Sequence, residues 1–271
     1  MGGSLLPGGA NLKWAERWRS LRSSPLGRHT AGTRTSFGCR RRTCMLSLLF
    51  FIDRDAKFTL LFSHGNAEDL GMIIQYFREV SHILDVNVFA YEYSGYGMST
   101  GEPTEASVLA DIEAAFHYLR HVIGVPWQEV ILYGRSIGSG PTIHLASITA
   151  ARAMVLQSPL MSVFRVAMSS PVTLPGDLFP NVDKIVNVRC PTYVVHGVKD
   201  EIVPVNHAEE LVRNCREGVV YPPFIIEDGG HNDLEIVARE PFFDNFSKFL
   251  QFLHKEPISE DLLQQARESE G

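Results

Sequence analysis

The chain has 271 residues, of which 45% are hydrophobic and 21% are charged, and its formal net charge is −6. These proportions are typical of a soluble globular protein and exclude a collagen-like, a wholly disordered or a disulfide-stapled chain. The longest apolar run, residues 45–52, is much shorter than the roughly 20 residues that a membrane-spanning helix needs. Four cysteines without metal-site spacing argue against zinc. Because nucleotide-binding glycine motifs are also absent from the sequence, we expect no metal and no cofactor.

The N-terminal 43 residues are a basic head. Residues 1–45 carry nine Lys and Arg against one acid, so their net charge is +8 and the rest of the chain carries −14. An acidic body does not favour nucleic acid, and we expect no nucleic-acid partner. Residues 1–43 show no sustained apolar period and are rich in Gly, Ser, Thr and Arg, which predicts disorder.

Three interpretations of the basic head stay open. The first is a plain solvated tail. The second is an organelle transit peptide, because the head is rich in Arg and Ser and poor in acids. Alternatively it is a membrane anchor, in which Arg40, Arg41 and Arg42 attract anionic lipid and Cys39 or Cys44 is S-acylated. An anchor predicts a cytoplasmic, peripheral membrane protein, whereas a transit peptide predicts a protein inside an organelle.

Between residues 44 and 256 short apolar runs alternate with segments of helical period. The predicted strands are residues 58–63, 86–92, 129–134, 153–158, 192–197 and 224–227. The predicted helices are residues 70–84, 106–123, 137–150, 205–215 and 240–254. This alternation predicts an α/β domain with a mostly parallel central sheet flanked by helices. The proline-rich residues 159–190 predict a small cap or loop insertion, and residues 257–271 predict an acidic, polar tail.

The strongest chemical signal is the sequence Gly-Arg-Ser-Ile-Gly at residues 134–138, between a predicted buried strand and a predicted helix. This context is typical of a nucleophile elbow, in which a strained turn exposes a serine hydroxyl. Glycine is needed at both ends, where a Cβ would collide with neighbouring backbone. Residues 97–101 match the same pattern, but they lie in a glycine-rich loop that leads into no helix directly. Ser136 is therefore the predicted nucleophile and Ser99 a turn residue.

A serine nucleophile needs a base, and the base needs an orienting acid. In this kind of fold they follow in the chain order serine, acid, histidine. Asp200 follows the strand predicted at 192–197, and His231 follows the strand predicted at 224–227. Because the carboxyl ends of parallel strands meet at one edge of the sheet, we expect Asp200 to orient His231, which takes the proton of Ser136.

The loop Phe-Ser-His-Gly-Asn-Ala at residues 62–67 follows the first predicted strand. We expect the backbone N–H of Asn66 to form an oxyanion hole with that of Ile137, at the start of the helix after the elbow. His64 and His196 each precede a glycine and are predicted to be structural hydrogen-bonding residues rather than second bases.

Taken together, these segments resemble the α/β-hydrolase superfamily and, within it, the α/β hydrolase domain-containing protein 17 family. The resemblance covers about residues 44–254. It is carried by the elbow and by residues 62–71, 93–97, 110–115, 158–160, 179–185 and 229–233. It implies an α/β-hydrolase fold with Ser136, Asp200 and His231 as a triad, and a membrane-associated thioesterase that removes palmitate from protein cysteines.

The chain departs from that family in three places. The segment upstream of the first predicted strand is poorly matched, which predicts a frayed edge of the sheet. The cysteine-rich N-terminus typical of the family is reduced to Cys39 and Cys44 in an arginine-rich head. Arg135 replaces a glutamine that is common before the nucleophile, which predicts an added positive charge beside the site.

The predicted partner is therefore an S-acylated protein or another acyl ester. The apolar residues between 159 and 190 suit an acyl chain, or they simply cover the sheet. A serine peptidase or a lipase on the same fold is the alternative, and a non-catalytic binding protein is a third interpretation.

Overall fold

The structure, a computed structural model, describes residues 34–39, 42–51, 56–168 and 175–270. Within these ranges one sheet contains eight strands: β1 (Arg34–Cys39), β2 (Arg42–Phe51), β3 (Thr59–Ser63), β4 (Asn87–Tyr91), β5 (Val130–Arg135), β6 (Ala153–Gln157), β7 (Thr192–Gly197) and β8 (Phe224–Ile226). Their order across the sheet is β1-β2-β4-β3-β5-β6-β7-β8. Strands β3 to β8 are parallel, whereas β2 is antiparallel to β4 and β1 is antiparallel to β2. The predicted mostly parallel sheet is confirmed.

Helices follow most of the parallel strands. They are α1 (Leu70–Leu84), α2 (Glu105–Tyr118), α3 (Ser139–Ile148), α4 (Val163–Met168), α5 (Asn181–Lys184), α6 (Asn206–Asn214), α7 (Leu234–Val237), α8 (Arg239–Lys255) and α9 (Glu260–Glu270). The segment predicted as a helix at 106–123 ends its α-helical part at Tyr118 and continues as a π-helical turn, Leu119–Ile123. Within the described ranges, no helix combines the length and the apolar character needed to cross a bilayer.

The hydrophobic core lies on both faces of the sheet. Ile131 and Tyr133 of β5 pack on the face covered by α1 and α8. Val130 and Leu132 of the same strand pack on the other face, against α2, α3 and α9. Because successive side chains of a strand point to opposite faces, a strand covered on both sides has to be apolar at nearly every position. This explains why the parallel strands could be predicted from continuous apolar runs.

The N-terminal edge of the sheet differs from the predicted boundaries. Strand β1 begins at Arg34, inside the segment predicted to be disordered up to residue 43, and it pairs with β2 from Arg34 opposite Ser47 to Cys39 opposite Arg42. Backbone pairing between two strands leaves no local hydrophobic period in the sequence, which is why the pattern did not indicate it. The rest of the basic head, residues 1–33 with Arg40 and Arg41, lies outside the described residues.

The C-terminal segment also differs from its predicted form. Residues 257–271 were expected to form a polar tail, but α9 occupies most of this segment. Leu262 and Ala266, four residues apart, are both buried against the core, and the side chain of Gln265 donates a hydrogen bond to the carbonyl of Ala146. Only one narrow stripe of this helix is apolar, so its composition resembles that of a tail although the helix is packed.

The cap predicted at residues 159–190 contains short helices. They are α4, α5 and one 3₁₀ turn, Ile185–Asn187, which follow β6 and precede β7. Residues 169–174 of this segment lie outside the described residues.

Candidate active site

The turn after β5 presents Ser136. This residue has a φ of 53°, a left-handed conformation that is rare for a non-glycine residue. A Cβ on Gly134 would lie 2.6 Å from the hydroxyl of Thr142, and one on Gly138 would lie 2.1 Å from the carbonyl oxygen of Ser63. Both distances are too short for any side chain. The glycines of the motif are therefore required by the close approach of neighbouring chain segments.

Ser136, His231 and Asp200 form one continuous line of hydrogen bonds. The His231 Nε2 atom lies 2.8 Å from the Ser136 Oγ atom, and its Nδ1 atom lies 2.7 Å from the Asp200 Oδ2 atom. Because a carboxylate only accepts, Nδ1 carries the proton and Nε2 is left as the acceptor that faces the serine hydroxyl. This is the tautomer that can take a proton from serine.

The Asp200 carboxylate is buried and fully engaged. Its Oδ1 atom accepts the backbone N–H groups of Ile202 and Val203 at 2.9 and 2.7 Å. The Nε2 atom of buried His196 lies 3.2 Å from Oδ2 and 2.8 Å from the carbonyl oxygen of Val203, so it donates. Burial alone would raise the pKa of Asp200, but the hydrogen bonds from His196, His231 and Val203 hold it well below its usual range. Asp200 is therefore an anion that can stabilise a protonated His231.

The acid loop and the histidine loop are fastened to each other through their backbones. The N–H of Lys199 donates to the carbonyl of Gly229 at 2.9 Å. A Cβ on Gly197 would lie 2.2 Å from that same carbonyl oxygen, so the loops touch without room for a side chain. The distance between Asp200 and His231 is thus set by contacts between main chains.

The predicted oxyanion loop lies against the elbow, because Gly138 packs on the backbone of Ser63 and His64. His64 is fully buried; its Nδ1 atom is 2.9 Å from the carbonyl of Gly65 and its Nε2 atom is 2.9 Å from Glu92 Oε1. Burial alone would lower the pKa of His64, but Glu92 and the Gly65 carbonyl raise it above its ordinary value. Asn66 accepts a hydrogen bond from the Tyr96 hydroxyl at 3.1 Å. The contacts of His64 and Asn66 therefore hold the loop in place. The donor role of the Asn66 and Ile137 N–H groups stays a prediction.

Arg135 does not leave a free positive charge beside the site, contrary to the sequence-based expectation. Its Nη1 atom lies 3.2 Å from Glu68 Oε1 and 3.5 Å from Glu235 Oε1, and its side chain is 8% exposed. Burial alone would lower the pKa of Arg135, but Glu68 and Glu235 raise it. We call these three residues the Arg135 cluster, in which two carboxylates face one guanidinium.

The cap is anchored to the elbow through Ser139 and Asn181. The Ser139 hydroxyl donates to the carbonyl of Ser136 at 2.6 Å and accepts from the Asn181 side chain at 3.3 Å. Asn181 also donates to the carbonyl of Leu160 at 2.8 Å, and the Phe179 ring fills the space where Gly140 would have a Cβ. The start of the cap, from Leu160 onwards, is therefore held in place beside Ser136.

Ser99, the other serine in a G-x-S-x-G pattern, lies away from this line of hydrogen bonds. Its hydroxyl donates to the carbonyl of Glu92 at 3.2 Å, and its N–H donates to Tyr96 at 2.8 Å. These are the contacts of a turn residue.

Within the part of the chain that the structure describes, no group of three or more His, Cys, Asp or Glu side chains is arranged as metal ligands.

Sequence reasoning missed several residues that support the site. Glu92, Glu68, Glu235 and Gln157 were not singled out, although the first three lie against His64 or Arg135. Only Glu68 had a local signal, because it stands three residues after Gly65, whose N–H it accepts at 2.8 Å. The others reach the site across the sheet, and one sequence contains no sign of such long-range pairs.

No family model matches the chain. The α/β hydrolase domain-containing protein 17C of Xenopus tropicalis is 39% identical over 220 residues, which are 81% of this chain and 69% of that protein. The human α/β hydrolase domain-containing protein 17B is 42% identical over 208 residues, which are 76% of this chain and 70% of the human protein. The α/β hydrolase domain-containing protein aho-3 of Caenorhabditis elegans is 45% identical over 185 residues, which are 68% of this chain but 55% of the worm protein. The chain thus spans little more than half to about 70% of the length of these relatives.

Solved structures show the same fold at lower identity. The Pyrococcus furiosus esterase Pf2001 superposes with a TM-score of 0.66 at 18% identity, over 84% of this chain and 96% of the esterase. Est1E from Butyrivibrio proteoclasticus, with ferulic acid bound, gives a TM-score of 0.64 at 16% identity, over 82% of this chain and all of that one. These likenesses establish the α/β-hydrolase fold, and the relatives at about 40% identity show which family within that fold the chain belongs to. The chain belongs to the α/β hydrolase domain-containing protein 17 family.

Proposed function

We propose that this protein is a serine hydrolase of acyl thioesters and esters, with removal of palmitate from S-acylated protein cysteines as its reaction. The observation that carries the proposal is the unbroken line of hydrogen bonds from Ser136 through His231 to Asp200. A positive φ at a serine that already faces an imidazole is the geometry of an activated nucleophile.

In the first half of the proposed reaction, the Ser136 oxygen attacks the carbonyl carbon of the acyl group while its proton passes to His231 Nε2. The carbonyl oxygen becomes an oxyanion, which the N–H groups of Ile137 and Asn66 stabilise. His231 then protonates the departing cysteine sulfur. The free thiol leaves, and the acyl group stays on Ser136 as an ester.

In the second half, water attacks the acyl-enzyme and gives a proton to His231. The tetrahedral intermediate collapses, the fatty acid leaves, and the proton returns to the Ser136 oxygen. Asp200 stays ionised throughout and stabilises the imidazolium that forms in each half. The low pKa of Asp200 supports this role, because a proton placed there would remove the stabilising charge.

The exposed apolar side chains around the site favour a fatty acyl substrate. Val198 and Ile202 flank Asp200, and Ile236 and Val237 follow His231; they are 41%, 47%, 73% and 48% exposed. Val198 and Ile202 lie on the loop that carries Asp200, and Ile236 and Val237 lie on α7, which follows the loop of His231, at the edge of the sheet where Ser136 is. An apolar rim of this kind suits a long acyl chain better than the backbone of a peptide.

Activity profiling tests the reaction class. The wild-type protein is treated with a fluorophosphonate, and the turnover of a palmitoyl-cysteine peptide is compared with that of p-nitrophenyl esters and an aminopeptidase substrate. We expect labelling at Ser136 and preference for the acyl thioester. Labelling with turnover of the aminopeptidase substrate alone would favour a peptidase, turnover of carboxyl esters alone a lipase or esterase, and absence of labelling a binding protein.

Exchange of one rim residue tests the substrate preference. Ile236→Asn should lower kcat/KM for a sixteen-carbon ester by about 5- to 20-fold, because each lost apolar contact weakens binding of the chain. The four-carbon ester should be hydrolysed as before. Val122→Asn is the control, since Val122 is 63% exposed in the π-helical turn Leu119–Ile123. This turn precedes β5, whereas Ser136 follows it, so the two residues lie at opposite ends of the strand. Equal effects on both esters would contradict the proposed chain-binding rim.

A further inference from the structure

Arg135 joins three segments that meet at the nucleophile. It is the last residue of β5, directly before Ser136. Glu68 belongs to the loop between β3 and α1, which includes Asn66, and Glu235 is the second residue of α7, four residues after His231. One buried guanidinium therefore contacts both the loop of the predicted oxyanion donor and the helix that follows the base.

The contact with Glu68 reaches the oxyanion loop through a single carboxylate. One oxygen of Glu68 faces Arg135 at 3.2 Å, and the other accepts the N–H of Gly65 at 2.8 Å. A Cβ on Gly65 would lie 3.1 Å from that second oxygen, so the carboxylate packs directly over the glycine. Any rotation of Glu68 away from Arg135 also removes the acceptor from Gly65, the neighbour of Asn66.

The contact with Glu235 reaches the histidine loop in a similar way. One oxygen of Glu235 faces Arg135 at 3.5 Å, and the other accepts the side-chain N–H of Gln157 at 3.0 Å. The turn before α7 is short and closed, because the Asp233 carboxylate accepts the N–H of Gly230 at 2.7 Å. A shift of α7 is thereby passed on to His231.

We propose that Arg135 is a positioning residue that holds the oxyanion loop and the histidine loop in register with Ser136, acting through Glu68 and Glu235. The inference rests on the proposed function and deepens it. Arg135 itself is too buried to touch substrate, so its effect is on geometry. Removal of its charge leaves two carboxylates facing each other without a cation, and Glu68, whose side chain is 18% exposed, is the one that can turn to water.

Replacement of Arg135 by glutamine tests this positioning role. In Arg135→Gln we expect kcat for a short ester to fall about 10- to 100-fold, while KM changes less than about threefold. The reason is that the Asn66 N–H, displaced with its loop, stabilises the oxyanion of the transition state and not the bound substrate. The rate is expressed per active site, titrated with fluorophosphonate, so that partial unfolding does not count. A trifluoromethyl ketone, which forms a tetrahedral oxyanion on serine, should lose affinity by the same factor as kcat/KM.

A charge-balanced double variant separates electrostatic positioning from packing. In Arg135→Gln with Glu68→Gln, the neutral side chain at 68 still accepts the Gly65 N–H and no longer repels Glu235, so most of the lost kcat should return. If Arg135→Gln does not fold, Glu68→Ala alone removes the acceptor of Gly65 and should lower kcat about tenfold with KM unchanged. The control is Arg239→Gln, which breaks a surface ion pair with Glu79 and should change neither kcat nor ketone affinity.

Each result decides the inference. Wild-type kcat per site and wild-type ketone affinity in Arg135→Gln, or in Glu68→Ala where the first variant is unfolded, would overturn it while leaving the proposed function intact. A double variant no better than the single one would also overturn it. A wild-type protein that neither reacts with fluorophosphonate nor hydrolyses esters would overturn the proposed function, and this inference with it.

Discussion

Asp200 is the most constrained of the three site residues, because its two oxygens accept from two backbone N–H groups and face two imidazoles. The same contacts that orient the carboxylate also keep it ionised. His196, interpreted from the sequence as a structural residue, supports the acid rather than acting on substrate. In the proposed reaction, Asp200 orients His231 and His231 transfers the proton.

Replacement of the acid should therefore be far more harmful than loss of a nearby carboxylate. We expect Asp200→Asn to lower kcat by about 10⁴-fold, because an amide facing Nδ1 selects the wrong tautomer of His231. Asp228→Asn is the matched control, since Asp228 lies on the neighbouring loop but is exposed and paired with Lys199. Steady-state kinetics on a soluble ester measure both. Comparable losses at the two positions would mean that the acid is wrongly assigned.

The two serines in G-x-S-x-G patterns give a second matched pair. Ser136→Ala should abolish turnover, a loss of about 10⁴- to 10⁶-fold in kcat, with an unchanged circular dichroism spectrum. Ser99→Ala removes only a hydroxyl that donates to the carbonyl of Glu92 and should keep most of the activity. The reverse outcome would contradict the identification of the elbow.

The three residues of the line could be predicted from the sequence because each lies in the turn or loop that follows a recognisable strand. The residues that hold them could not be predicted in the same way. Glu92 contacts His64, and Glu235 contacts Arg135, over separations of 28 and 100 positions in the chain. Such pairs exist only once the sheet has brought distant loops to one edge.

Among the helices, α2 links the loop after β4 to the core through a buried acid. Asp111 accepts the N–H and the hydroxyl of Ser94 at 2.6 and 2.8 Å. Burial raises the pKa of Asp111 to about 6, although the hydrogen bonds from Ser94 lower it. At neutral pH Asp111 is therefore mostly a buried carboxylate, and its hydrogen bonds in the described residues come from Ser94 rather than from a cation.

This raised pKa predicts how stability depends on pH. Between about pH 6 and pH 4 the folded protein binds a proton at Asp111 that the unfolded chain does not, so acidification favours the folded state through this group by about 2–3 kcal/mol. In Asp111→Asn the contribution is absent. Urea unfolding of both proteins at pH 7, 6 and 5 should show a free-energy difference, wild type minus variant, that becomes more favourable to the wild type as the pH falls. A difference that stays flat or reverses would contradict the prediction.

Elements were predictable where packing dictates composition. The six parallel strands agree with the predicted ranges to within one residue at each end. Strands β3 to β7 are buried along nearly their whole length, so their apolar runs are continuous. Strand β1 and helix α9 were missed for the opposite reason, since β1 relies on backbone pairing and α9 on a narrow apolar stripe. Strand β2 contains most of the apolar run at residues 45–52, which was not interpreted as a strand. The cap helices α4 and α5, and the helix α7 after the histidine loop, are too short to produce a helical period.

At the scale of the whole molecule, part of the basic head forms the edge of the sheet, because it supplies β1 and the start of β2. Cys39 ends β1 and Cys44 is the third residue of β2, so in the sequence the two cysteines lie on either side of Arg40, Arg41 and Arg42. An acidic body with one basic, cysteine-bearing edge is suited to contact an anionic surface in one orientation. We propose that this edge is a peripheral membrane anchor of a cytoplasmic enzyme.

Removal of the cysteines tests the anchor. Each arginine near an anionic surface contributes about 1 kcal/mol, and one acyl chain binds only marginally, so stable anchoring needs both signals. Cys39→Ser with Cys44→Ser should move the protein from the membrane to the soluble fraction and leave turnover of a soluble ester unchanged. Cys215→Ser, at the end of α6, is the control and should stay on membranes.

The same fractionation distinguishes the other two interpretations of the basic head. A transit peptide would be cleaved, and N-terminal sequencing would find a shorter protein inside an organelle. An intact, unacylated and fully soluble protein would leave only the solvated tail. Both outcomes would contradict the anchor.

The Arg135 cluster also has a consequence for how sequences in this family can change. A lineage that exchanges Arg135 for a neutral residue first has to lose one of the two acids, or it passes through a form with unbalanced buried charge. Positions 68, 135 and 235 should therefore be inherited as a set. Among homologues, arginine at 135 should occur together with acids at both other positions, and a neutral residue at 135 should occur with at most one acid.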